Sequence, residues 1–130
     1  RYGTRFAKPL DEFVLKELAD DMEAASYPVA QGTVQSYLMN AYYQLAIDED
    51  DVAEGYLTIA QQLYDRYRKF VAGTEKRRAL PPWKQMQITS LEMTKQRIPA
   101  PMAKRLEERL PKAGEKFIPE AGEIAAPVVQ

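Results

Sequence analysis

Between Thr33 and Gly73 apolar residues recur at steps of three and four on either side of an acidic run, Asp48-Glu49-Asp50-Asp51. Val34, Tyr37, Leu38, Ala41, Tyr42 and Leu45 fall on one face of a helical period, and Val52, Tyr56, Ile59, Ala60, Leu63, Tyr67, Phe70 and Val71 do so over about five turns. The spacing predicts two amphipathic helices, the first opening at Gly32 and Thr33 with Thr33 as N-cap, joined by an acidic loop that stops one helix and caps the next. Gly73 is expected to take the left-handed conformation that closes the second, with Arg66, Arg68 and Lys69 near the negative end of its dipole. Chain ordering costs roughly 1 to 2 kcal/mol per residue, so two stripes packed only on each other would be marginal and need further helices.

Those partners are legible on both sides. Residues 1–8 have no period and are expected to form an extended arm. A helix from about Pro9 to Ala25 follows, with Leu10, Phe13, Val14, Leu18, Met22 and Ala25 expected inside and Asp20, Asp21 and Glu23 in water; Ser26-Tyr27-Pro28 should end it. Beyond a basic connector, a helix from about Pro82 to Gln96 carries Trp83, Met86, Ile88, Leu91 and Met93 spread around its circumference. Met102, Ala103, Leu106 and Leu110 mark a short last helix before Pro111. Residues 111–130, with Gly114, Pro119, Gly122 and Pro127 and the apolar pairs Phe117-Ile118 and Val128-Val129, are expected as an extended tail lying on another surface, the chain's own or a partner's. The expected fold class is all-α, a bundle of four to five helices over residues 9–110 with an extended, proline-containing C-terminal tail.

Composition removes chemistry rather than adding it. The 130 residues fit one domain, and a formal net charge of -1 argues against a generally nucleic-acid-seeking protein. Cysteine and histidine are both absent, which excludes disulfides, thiolate chemistry, and the commonest general base and metal ligand. No apolar run approaches the roughly 20 residues that span a bilayer, so a soluble chain without a transmembrane segment is expected; association with a membrane complex is compatible with that. Arg1 stands where a methionine would begin a new chain, as in a processed protein of an organelle or extracytoplasmic compartment, or a piece of a longer one. The charge is segregated: residues 8–54 hold eleven acidic and two basic side chains, residues 65–112 thirteen basic and five acidic. Two electrostatic ends are expected.

Ala53 and Ala60, seven apart with Leu57 between them and Tyr43 in the preceding helix, resemble one tetratricopeptide-type hairpin over residues 34–71. No second copy is visible, so the resemblance implies a helical interaction unit and no peptide-binding residues. Tyr27-Pro28, Tyr37-Leu38, Tyr42 and Leu45 are also similar to the start of the second long helix in four-helix extrinsic subunits of photosystem II of the PsbQ type. That resemblance would imply a lumenal accessory protein without chemistry of its own.

Candidate chemistry is thin. Asp48 to Asp51 with Glu54 offer carboxylates for calcium, but the central glycine and closing glutamate of the helix-loop-helix calcium loop are missing, which favours a helix cap. Glu107 and Glu108 are adjacent on a helix and cannot face one another for acid-base work. Met86, Met93 and Met102 suit core filling better than a soft metal site. No catalytic residue, metal site or cofactor is expected. The unusual excess is tyrosine: Tyr37, Tyr42, Tyr43, Tyr56, Tyr64 and Tyr67 all lie in the central pair, with Tyr43 and Tyr64 off the stripes. With Trp83 they are candidate contact anchors, because tyrosine joins large contact area to a polar tip. The candidate partner-binding residues are therefore Tyr43, Tyr64, Arg77, Arg78, Trp83, Phe117 and Ile118. They point to a non-catalytic interaction or structural subunit of a larger protein assembly that uses aromatic and charged faces and its tail. The alternative is a nucleic-acid-binding helical domain using the basic 66–112 region.

Overall fold

A computed structural model describes residues 12–117, and over these residues the protein is an all-α bundle of five helices. They are α1 (Glu12–Ala24), α2 (Tyr27–Ala46), α3 (Asp50–Ala72), α4 (Trp83–Arg97) and α5 (Ala100–Ala113). The expected arm, Pro9 and Leu10, and the tail beyond Phe117 with Ile118 lie outside the described residues. No described helix is long and apolar enough to cross a membrane.

The hub is α2, which contacts each of the other four helices and packs most extensively on α3. It begins seven residues earlier than expected, with its cap at Ser26 and not at Thr33. Ser26 occupies the N-cap position with an extended backbone, and Pro28 sits in the first turn, where a missing N–H costs nothing. The same tripeptide that ends α1 thus starts α2, and Thr33, expected as the cap, lies inside the helix with its hydroxyl donating to the Val29 carbonyl at 2.9 Å. Val34, Leu38, Ala41, Tyr42, Leu45 and Ala46 are buried, as are Ala53, Ile59, Ala60, Leu63 and Tyr67 of α3. Alanines at these positions let the helices approach closely.

α1 is rotated from the expected phase, and α4, for which no single stripe was expected, buries a partly polar one. In α1 the inward side is Leu15, Leu18, Ala19 and Met22, whereas Phe13 and Val14 are 70% and 37% exposed. The face containing small Ala19 is the one that allows α1 to settle on α3. In α4 the buried strip is Met86, Gln87, Ser90, Leu91 and Thr94. Two of its polar members are paired inside: Thr94 Oγ1 donates to the Ser90 carbonyl at 2.8 Å, and Gln87 Nε2 donates to the Lys116 carbonyl at 2.9 Å, while the buried Ser90 hydroxyl has no hydrogen-bond partner among the described residues.

Helix ends also differ in mechanism. α3 stops at Ala72 as expected, but Gly73 has φ -94° and ψ 5°, not left-handed geometry; its N–H turns back to the Lys69 and Phe70 carbonyls and tightens the last turn. The non-glycine residue with left-handed φ is Asp48, at 66°, two positions after the end of α2, a conformation that aspartate tolerates. α5 runs through Pro111 to Ala113, since a proline so near the end forfeits only one hydrogen bond. Gly114, at φ 88°, then reverses the chain into a turn that buries Phe117 at 2% exposure. The stretch expected to be extended from residue 111 is helix and turn as far as Phe117.

Candidate interaction surface

The expected electrostatic ends are joined inside the molecule. Arg105 and Arg109 of α5 reach the acidic loop, Arg105 pairing with Asp48, and Arg109 with Asp48 at 3.3 Å and with Asp50. Lys116 meets Glu54 at 2.6 Å, and Lys95 meets Glu107 at 2.9 Å, which holds the Lys95 amine above its ordinary pKa. The acidic run that suggested calcium is therefore the anchor of α5 across the α2–α3 loop. Arg109, with its side chain only 25% exposed, is the pivot.

Most of the sequence-predicted contact residues serve the chain's own packing. Tyr64 is buried, its ring centroid 5.1 Å from Trp83 and its hydroxyl donating to the Pro81 carbonyl at 2.8 Å. Burial raises its pKa. Phe117 is buried beside Tyr42, whose hydroxyl donates to the Phe117 carbonyl. Arg77 donates to the carbonyls of Glu23, at 2.5 Å, and Ala25, closing the C-terminus of α1, and its guanidinium lies 5.4 Å from the Phe70 ring. Arg78 stacks 4.3 Å from the Tyr27 ring centroid. Trp83 is half-buried and lines a groove of about 390 Å³ with Leu57, Thr58, Gln61 and Gln87.

Tyr43 alone of the described candidates lies on the outer face of α2, where it is 38% exposed. Val29, Thr33, Ser36, Asn40, Tyr43 and Ile47 follow one another at steps of four and three along the outer side of α2. Among the described residues the exposed large hydrophobics are Phe13, Val14, Val29, Tyr43 and Ile47, so three of the five share this strip. Two of its polar members are turned back onto the helix: Thr33 donates to the Val29 carbonyl, and Asn40 Nδ2 donates to the Ser36 carbonyl at 3.0 Å. Beside the strip run two depressions. One, of about 280 Å³, lies between Met39, Asn40 and Tyr43 of α2 and Thr94, Arg97 and Ile98. The other, of about 540 Å³, lies between Ala46 and Ile47 and the first turns of α5, at Pro101, Met102, Lys104, Arg105 and Glu108.

Met39, Ile47 and Ile98 were not singled out as contact residues from the sequence, and Arg97 and Lys104 entered only among the basic residues that could meet phosphate. Ile47 falls outside the buried stripe and just before the acidic loop, a position that could have marked it. Arg97 and Lys104 carried no signal beyond membership of a basic region, because only the fold brings them beside α2. Tyr37, Tyr42, Tyr64 and Lys95, whose pKa values are raised, do not line the grooves described here. No family model, curated protein or solved structure matches this chain.

Proposed function

We propose that this protein is a non-catalytic interaction subunit of a larger protein assembly. The observation that carries the reading is the outer strip of α2, where Val29, Tyr43 and Ile47 are exposed in register along one helix. A helix that is buried on its other sides and apolar on its free side has the form of a contact element. Placement of the cations favours a protein partner over nucleic acid. Arg105, Arg109, Lys95 and Lys116 are drawn into pairs with Asp48, Asp50, Glu107 and Glu54, and Arg77 is held by main-chain carbonyls.

Contacts by residues 118–130 are part of the proposal. Removing the whole of residues 112–130 would also take away buried Phe117. Ending the chain after Phe117 keeps all five described helices and weakens association if the tail contributes; unchanged association removes the tail from the proposal. The proposal itself is tested by purifying an affinity-tagged chain from its native source. A companion protein at a fixed molar ratio is the expected result. A chain that purifies by itself overturns it.

A further inference from the structure

We infer that the strip of α2 and its two depressions dock an acidic amphipathic helix from a partner protein. The inference rests on the interaction-subunit reading and specifies the partner's chemistry. From Ser36 to Ile47 the wall of α2 is about 16 Å long, enough for roughly three turns of a docked helix. The two depressions lie in line along that wall, one beside Tyr43 and the next beside Ile47, one turn further on. Two apolar side chains a turn or two apart on the incoming helix fit them, meeting Met39, Tyr43 and Ile98 in the first and Ile47, Pro101 and Met102 in the second.

Charge selects the flanks of that helix. The far wall carries Arg97, Lys104 and Arg105 against one carboxylate, Glu108. Arg105 is paired with Asp48, and among the described residues Arg97 and Lys104 have no ion-pair partner. Both are exposed on the rim, where glutamate or aspartate of the docked helix can meet them while its apolar side faces α2. Thr33 and Asn40 donate to carbonyls of their own helix, so docking strands neither of these donors.

The probe is a helix-favouring peptide of about four turns, with leucines one turn apart on one side and glutamates flanking them. It is titrated into the isotope-labelled chain and followed by amide chemical shifts. Shifts concentrated at residues 36–47 and 94–105 are expected. Replacing the peptide's glutamates by lysines, or introducing Arg97→Glu with Lys104→Glu into the protein, should each weaken binding about tenfold, equivalent to about 1.4 kcal/mol. Tyr43→Ser and Ile47→Ser should abolish the shifts while the circular dichroism spectrum and thermal midpoint stay close to those of the parent. Absence of shifts with the acidic peptide, shifts centred elsewhere, or equal binding of the lysine peptide overturns the inference. So does tighter binding of a single-stranded oligonucleotide to the same face, which would make it a polyanion site. Peptide failure alongside a stoichiometric companion removes this surface and leaves the interaction-subunit reading standing; a chain without a companion removes that reading whatever the peptide does.

Discussion

The hydroxyl of Tyr42, in the middle of α2, donates a hydrogen bond to the main-chain carbonyl of Phe117, 75 residues further along the chain. Tyr42 is fully buried and Phe117 is 2% exposed, so this bond ties the end of the described chain to the central helix without access to water. Tyr42→Phe keeps the ring and removes the donor, leaving a buried carbonyl unpaired. A loss of about 1 to 2 kcal/mol is expected in urea unfolding.

Tyr67 gives the opposite sign. It is equally buried, at 1% exposure, but among the described residues its hydroxyl has no hydrogen-bond partner. Tyr67→Phe removes a desolvated, unpaired group and should leave stability unchanged or raise it by up to about 1 kcal/mol. Measured side by side, the two substitutions separate hydrogen bonding from ring packing.

Burial holds the Tyr42 hydroxyl far above its ordinary pKa. The unfolded chain therefore releases this proton more readily than the folded one, and stability falls as pH rises above the ordinary phenol value of about 10. Below that pH the contribution is complete. Thermal unfolding followed between neutral and strongly alkaline pH should show this loss, and Tyr42→Phe should reduce the slope.

Gly32 lies within α2, and a Cβ added there would have no neighbour within 4 Å. Gly32→Ala restricts the unfolded chain without crowding the folded one and should stabilise by about 0.5 to 1 kcal/mol. A rise in thermal midpoint checks it. A fall would mean that the helix does not run through this position.

Arg77→Met removes the donors that close α1 and should cost about 1 to 2 kcal/mol. Amide exchange should accelerate within α1 and remain slow within α2, because only α1 loses its terminal partner. Uniform acceleration would contradict this capping role.

How much of this was legible in the sequence depended on whether one segment's own pattern decided the matter. The α3 stripe and the stop after Ala72 were, because a long apolar period ending at glycine is a local signal. The early start of α2 was not: Tyr27-Pro28 reads equally as a stop and as a first turn, and the choice rests on whether Ser26 can serve as the cap position. The rotation of α1, away from Phe13 and toward Ala19, depended on which face fits α3. Tyr64 and Phe117 looked available because neither lies on a predicted buried stripe; Tyr64 is covered by Trp83 from across a connector, and Phe117 by a turn that follows a helix running past its proline. The segregation of charge was plain in the sequence, but its destination was set by the return of α5 to the α2–α3 loop.

Amide hydrogen exchange of the chain alone, compared with the chain held in the assembly with which it purifies, tests the account most directly. Added protection is expected over residues 36–47 and 94–105, with residues 52–70 unchanged. Protection confined to other helices, or no difference between the two states, would contradict it.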